Sequence, residues 1–204
     1  LTKWNLSPFQ IASELTYYLL QPNSNMLEDI RVAQKILHWD ELPRPILALH
    51  VRHGKKAFEG KYYKNSDFMS AVLTMKERHG FRTLFLLTDD LETSEYFEKA
   101  TAHFEAVASL DEPQYVQHGW KESEKHLRDA AQRVKNGANG CSEAVSTMLN
   151  IYIASLADGF VGVFNSNMSR TIMKMMTAMN GGTPPPNVSL DNFYTKLDKG
   201  SCWH

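Results

Sequence analysis

Apolar side chains recur at mixed three- and four-residue spacing over residues 8–21, where Phe9, Ile11, Leu15, Tyr18 and Leu19 share a face. That period predicts an amphipathic helix, and Pro8 suits its first turn. Met26, Ile30, Ala33, Ile36 and Leu37 repeat the pattern over 26–39, until Pro43 and Pro45 break it. The period then changes. Residues 46–51 form a short unbroken apolar run between proline and glycine, the pattern of a strand buried on both faces. Phe68, Val72, Met75 and His79 return to helical spacing over 66–79, with Ser66 as the expected N-cap and Gly80 as the stop. A second buried strand is predicted at 83–88, a helix at 91–102 and a short strand at 104–108. After a polar stretch, Val145, Met148, Leu149, Tyr152 and Ile153 mark a helix over 142–156, followed by a strand at 157–164 and a helix at 166–179. The methionines of that last helix (Met168, Met173, Met175, Met176 and Met179) read as pliable core. Residues 180–186, rich in glycine and proline, end the regular structure, and the remainder is expected to be irregular.

Strands alternating with helices, each strand apolar on both faces, predict an α/β fold: a Rossmann-like parallel sheet with helices on both faces. One domain is expected over 1–194, with a polar, charged insertion at 109–140 and a tail at 195–204. The charged run at 121–135 suits a solvated helix inside the insertion.

Composition narrows the function. The 204 residues are 43% hydrophobic and 22% charged, which is ordinary globular chemistry and excludes a disordered or low-complexity chain. Twenty-two Lys and Arg against 23 Asp and Glu leave a net charge of -1, so no basic excess points to nucleic acid. The apolar runs are strand-sized, far below the ~20 residues of a membrane span. Two cysteines, Cys141 and Cys202, exclude a disulfide scaffold and a four-thiolate metal site, although one bridge remains open. The chain opens Leu1-Thr2-Lys3-Trp4 with no leader or anchor, and reads as a domain trimmed from a longer protein.

In an open parallel sheet, ligands collect beyond the carboxyl ends of the strands, so the loops there are the ones to inspect. The first strand runs into His50-Val51-Arg52-His53-Gly54-Lys55-Lys56, the second into Asp89-Asp90, and the fourth into Asn165-Ser166-Asn167-Met168-Ser169-Arg170 at the start of a helix. A guanidinium at a strand end can grip phosphate oxygens through two bonds, or can pair with Asp89 or Asp90 in a purely structural role. Ser166 and Ser169 stand where the unsatisfied N–H groups of a helix tip favour an anion, or serve as ordinary caps. Together the loops predict a diphosphate site, hence a nucleotide or nucleotide sugar. Neither a P-loop nor a G-x-G-x-x-G signature occurs, and no zinc spacing or hydrolase nucleophile elbow is present. The Asp89-Asp90 pair lacks a second ligand cluster, so no metal is expected.

The order His-Val-Arg, then Thr-Asp-Asp, then Ala-Asp-x-x-Val-x-x-Phe-x-Ser with Arg170 four residues on resembles the α1,6-fucosyltransferases, the enzymes of N-glycan core and Nod-factor fucosylation. Ser189-Leu190-Asp191-Asn192-Phe193-Tyr194 is similar to a segment downstream of that family's site. The resemblance runs from about Trp4 to Tyr194 and implies the donor-binding half of a two-Rossmann (GT-B-like) glycosyltransferase, whose other half would precede Leu1. It implies GDP-fucose as donor, a glycan or protein hydroxyl as acceptor, inversion at the anomeric centre and no required metal. Arg52 would contact the β-phosphate and stabilise departing GDP; His50 would lie beside the guanine or ribose; Asp89 and Asp90 would hold the arginine or the sugar edge; Ser166 would bind phosphate. Lys56 matches a lysine assisting the acceptor. It further implies the Golgi or secretory lumen. Sequons at Asn5, Asn167 and Asn187 fit a secretory history.

The sequence departs from the family at several positions. His53 replaces a second arginine and Lys55 an aspartate. The family's catalytic Glu falls on Gly60, which makes Glu59, one position away, the candidate base, with His53 next. Asn150 stands where a guanine-reading aspartate is expected, and Gly162 and Ser169 replace flanking cysteines. Three readings follow: a fucosyltransferase-like enzyme, a catalytically inactive nucleotide-binding or structural module of a larger protein, or a transferase with another nucleotide-sugar donor.

Overall fold

The computed structural model describes residues 6–53, 62–110 and 140–191, with side chains from 144 onward in the last segment. The expectations for Lys55, Lys56, Glu59 and Gly60, for a helix at 121–135, for both cysteine side chains and for the tail lie outside the described residues.

Two helices open the structure. α1 (Pro8–Leu19) starts from a reciprocal cap in which the Ser7 hydroxyl accepts from the Gln10 N–H and the Gln10 side chain accepts from the Ser7 N–H. α2 (Ser24–Ile36) is capped by Asn23. It ends three residues before the expected limit, and after His38 the chain tightens into a 3₁₀ turn, Trp39–Glu41, which drives Trp39 edge-on against Phe85 with ring centroids 5.3 Å apart.

The rest alternates as the pattern predicts: β1 (Ile46–Val51), α3 (Asn65–His79), β2 (Thr83–Thr88), α4 (Leu91–Glu98), β3 (Ala106–Ser109), α5 (Gly140–Ser155), β4 (Gly159–Gly162), α6 (Asn167–Met179) and β5 (Asn187–Ser189). α3 begins at Asn65, not at Ser66: Asp67 reaches back to the Lys64 N–H at 2.9 Å and closes the first turn one residue earlier. Its stop is Gly80, at φ +71°. The helix expected over 91–102 divides into α4 and a 3₁₀ turn at Lys99–Ala102.

The five strands form one parallel sheet in the order β3-β2-β1-β4-β5. Strand alternation divides the core in two. Ile46, Ala48, Phe85, Leu87 and Phe160 pack with α2, α5 and α6; Leu47, Leu49, Val51, Leu84, Leu86 and Val161 pack with α3 and α4. Every residue of β1 is buried, as a central parallel strand requires. The architecture is therefore the expected Rossmann-like α/β sandwich with helices on both faces.

Two departures shape the region beyond the strand ends. β4 stops at Gly162, short of Phe164, because the Phe164 N–H turns to the Ser189 hydroxyl at 3.0 Å. β5 follows three prolines and is too short for an alternating pattern to reveal. Gly159 is demanded by packing: a Cβ there would stand 2.2 Å from the Phe81 ring.

Candidate functional site

The strand order places the site. From β1 the chain steps outward through β2 to β3, and then crosses back to the other side of β1 for β4 and β5. The reversal falls between β1 and β4, and the carboxyl ends of the strands at such a point are where these sheets bind ligands. Arg52 follows β1 directly, Asp89 and Asp90 follow β2, and Ser166 closes the loop after β4. Because β1 pairs with both β2 and β4 in parallel, all three loops emerge at one sheet edge. The opposite edge is closed structurally. Asp158 there takes two bonds from Arg44, at 2.9 and 3.1 Å, and one from the Ile46 N–H, while Arg82 and Glu105 pair through two contacts of 2.6 Å.

Arg52 and Asp89 are half-exposed side chains whose Nε and Oδ2 stand 3.9 Å apart. That is ion-pair range without a hydrogen bond. The guanidinium is thus oriented by a neighbouring carboxylate and still open to solvent. Asp89 also accepts the His53 N–H at 3.3 Å. Partial burial between the strand ends pushes the Asp89 carboxyl up, with Arg52 pulling it the other way.

Asp90 has a different occupation. Its Oδ2 accepts from the Thr93 N–H at 3.0 Å and from the Thr93 hydroxyl at 2.6 Å, capping α4, and lies 3.4 Å from His53 Nδ1. The His53 contact and the Thr93 bonds hold its carboxyl below the ordinary range against the opposing effect of burial. His53 is itself buried, under the Tyr62 ring at 4.9 Å, with Nε2 3.0 Å from the Tyr63 carbonyl. Burial disfavours its charged form, but the Asp90 contact, the Tyr63 carbonyl and the two carboxylate charges outweigh it and raise the imidazole.

His50 and Ser169 form a second pair. His50 is 5% exposed and Ser169 wholly buried, and Nδ1 and Oγ meet at 2.7 Å, tying β1 to the first turn of α6. Both side chains are buried and tied to each other across β1 and α6. Gly162 leaves the room they need, since a Cβ there would stand 3.0 Å from Ser169 Oγ. Asn150 lies on α5, where its amide donates to the Ser146 carbonyl at 3.2 Å.

Ser166 is the N-cap of α6, yet its side chain makes no capping bond. Its hydroxyl is buried and, among the described residues, has no hydrogen-bond partner. A buried hydroxyl without a partner is costly, and its position at the tip of a 13-residue helix, where N–H groups point outward, matches an anion. The loop leading to it is braced: the Asn165 N–H donates to Asp191 at 2.6 Å, Ser189 donates to Asp191 at 2.6 Å, and Arg170 donates to the Phe164 carbonyl and the Asn167 side chain.

Sequence reasoning missed Thr93 and the Tyr63 carbonyl, and singled out Ser189 and Asp191 as part of a family-like segment without their bracing role. Thr93 follows Asp90 at cap spacing, a signal available in the sequence; the Tyr63 contact is purely tertiary. Among the described residues, no cluster of His, Cys, Asp and Glu is arranged to hold a metal ion, and no helix is long and apolar enough to cross a membrane.

No family model and no curated protein matches the chain. Solved structures do. The chain is similar to POFUT1 crystallised with GDP-fucose, at 12% identity over 82% of this chain, with TM-scores of 0.50 and 0.51 in two crystal forms and coverage of 46% and 47% of that chain. POFUT1 crystallised with GDP matches at 12% identity over 82% of this chain and 48% of that chain, with a TM-score of 0.51. The chain spans about half the length of these structures. What they share is the Rossmann-like fold of a protein solved with GDP-fucose; the α1,6 resemblance read from the three loops is a finer statement than this likeness carries.

Proposed function

We propose that the chain is the donor-binding domain of a fucosyltransferase-like glycosyltransferase, of the α1,6 type its loops resemble, which takes GDP-fucose and passes fucose with inversion to a hydroxyl of a glycan or protein in the secretory lumen. The observation that carries this reading is the buried hydroxyl of Ser166 at the α6 tip, without a partner among the described residues, beside the point where the strand order reverses. The fold shared with a protein solved with GDP-fucose supports the choice of donor.

In this reading the diphosphate sits over the α6 tip. Ser166 Oγ donates to a phosphate oxygen, and the helix N–H groups and dipole favour the negative charge. Arg52 approaches from the end of β1 and stabilises charge accumulating on GDP as the glycosidic bond breaks, an effect largest where water is excluded. Asp89 holds the guanidinium. His50 and Ser169 tie β1 to α6. With positive charge supplied by Arg52 and the helix tip, the reading requires no metal. Glu59 as base and Lys56 as its aid belong to the acceptor side, contributed together with the other half of a two-Rossmann enzyme.

A second reading, an inactive nucleotide-binding or structural module, is favoured by the neutral Asn150 at the position of a guanine-reading carboxylate and by Gly60 at that of the base. Calorimetric titration of the chain with GDP, UDP and GMP tests the binding step. GDP preferred, with Arg52→Ala weakening it at least about tenfold as the loss of a charged hydrogen bond predicts, supports the proposal. Equal and negligible affinities for all three end it. Acceptor-dependent GDP release from GDP-fucose by the full-length protein, cut by Glu59→Gln, separates enzyme from module.

A further inference from the structure

The hydrogen inventory around His53 fixes its protonation. Nε2 lies 3.0 Å from the Tyr63 carbonyl oxygen, which only accepts, so Nε2 carries a hydrogen. Nδ1 lies 2.9 Å from Thr93 Oγ1. The single hydroxyl hydrogen of Thr93 is committed to Asp90 Oδ2, 2.6 Å away. The structure sets Asn65 Oδ1 3.1 Å from the same oxygen; with the Thr93 hydrogen on Asp90, that amide has to turn over and present its nitrogen there instead. Thr93 Oγ1 therefore accepts from Nδ1, which also carries a hydrogen. With both ring nitrogens donating, His53 is an imidazolium beside the Asp90 carboxylate.

The groups around the ring agree. Asp89 and Asp90 face it from the turn into α4, and Arg52 is its chain neighbour. The phenols of Tyr62 and Tyr63, on the segment entering α3, are both pushed up by burial and stay neutral; Asp90 and then Glu92 of α4 add to the first, Asp191 and then Asp67 of α3 to the second. Removing the proton costs more than one bond. If Nδ1 loses it, Thr93 must turn its hydroxyl away from Asp90; if Nε2 loses it, two lone pairs confront each other at Tyr63.

His53 reaches the proposed diphosphate site through its backbone. Its N–H holds Asp89 Oδ1, and Asp89 Oδ2 faces Arg52. Charge acts in the same sense. Arg52 and His53 balance Asp89 and Asp90 while the ring is protonated, and the group carries a net negative charge once it is not, which repels an anion.

We propose that His53 is a positioning residue for donor binding: as a buried imidazolium it keeps Arg52 aligned and its surroundings electrically neutral, so that diphosphate affinity falls when the pH rises and the ring loses its proton. This rests on the GDP-fucose reading above and adds a control that reading does not contain.

The test combines two measurements on the full chain. Titration with GDP-fucose by calorimetry from about pH 5.5 to about 8.5 spans the histidine range, and its diphosphate diester has no group titrating there. Affinity is expected to fall about fivefold across the range, the worth of one unit charge acting over about 4 Å of water. His53→Gln removes that dependence and holds affinity near its high-pH level. Thr93→Val takes away the acceptor of Nδ1–H and shifts the midpoint to lower pH, which keeps the test decisive if the glutamine variant does not fold. Nitrogen-15 shifts of the His53 ring report its protonation independently of any ligand. Tight binding with a flat pH profile, or a singly protonated ring at pH about 6, overturns this proposal and leaves the function standing. No binding at any pH, with the ring doubly protonated, overturns the donor reading and with it the role of His53 in binding.

Discussion

Replacing Ser166 by alanine separates a ligand-binding hydroxyl from a structural one, because the two predict opposite signs. A serine at a helix N-cap ordinarily supports the first turn, and its loss costs about 0.5–2 kcal/mol. Here the side chain makes no capping bond, and its oxygen is buried without a partner among the described residues, so that cost is absent. Deleting a buried unsatisfied hydroxyl instead removes a desolvation penalty of about 1–3 kcal/mol, less what the small void left behind gives up. Urea unfolding of Ser166→Ala should therefore show a protein as stable as the parent or more stable by up to about 1 kcal/mol, the net of those two effects. Binding should move the other way. A hydrogen bond from a hydroxyl to a phosphate oxygen is charge-assisted and worth about 1.5–3 kcal/mol, which corresponds to a loss of about tenfold to more than a hundredfold in GDP affinity. Calorimetry with GDP on the same preparation measures it. A variant that loses more than about 1 kcal/mol of stability while binding GDP unchanged would refute the reasoning, since the hydroxyl would then be serving the helix in its usual capping role.

Further outcomes follow from packing and charge. Ser169→Ala removes the buried 2.7 Å bond to His50 and should cost about 1–3 kcal/mol in urea unfolding, the reverse of its neighbour at position 166. Gly159→Ala forces a methyl group to within 2.2 Å of the Phe81 ring, and overpacking of that kind should cost about 1–3 kcal/mol in the same measurement. The His53–Asp90 pair makes stability a dome in pH. The raised His53 contributes fully below its unfolded value, ordinarily about 6.5, and loses that contribution as the pH rises through its folded value; the lowered Asp90 contributes above about 3.9 and loses it as the pH falls through its own. Asp89, raised by partial burial, opposes Asp90 on the acid side. In Asp90→Asn the alkaline loss should begin at lower pH and the acid limb should flatten, as followed by midpoint denaturant concentration against pH.

The legibility of this fold in its sequence has a physical boundary. Runs such as 46–51 and 83–88 are buried on both faces, so hydrophobicity alone announces them, and the order of helices between them implies a parallel sheet. β5 escapes because an edge strand of three residues carries no period, and the expectation of a Ser66 cap overlooks a local signal, the carboxylate of Asp67 three residues after Lys64, which reaches back to the Lys64 N–H. At the site the same boundary appears between adjacent residues. Asp89 and Asp90 are chemically identical in the sequence and were given one shared role. In the structure Asp89 faces Arg52 in solvent, whereas Asp90 is consumed by Thr93 and His53 beneath it. The two serines at the α6 tip divide likewise: Ser169 is satisfied by His50, and Ser166 is left over. In each pair one member completes the fold and the other keeps its polar group for something outside it. The motif supplies four polar groups to one edge of the sheet; the Asp90 cap on Thr93 is local and readable from spacing, whereas the His53–Asp90 and His50–Ser169 contacts are long-range and no local spacing encodes them. Of the two left over, Asp89 orients Arg52, so that the groups presented at the point where the sheet reverses are the Arg52 guanidinium and the Ser166 hydroxyl, both donors on neighbouring strand ends, and a pair of donors beside a helix tip suits an anion before any question of which nucleotide carries it.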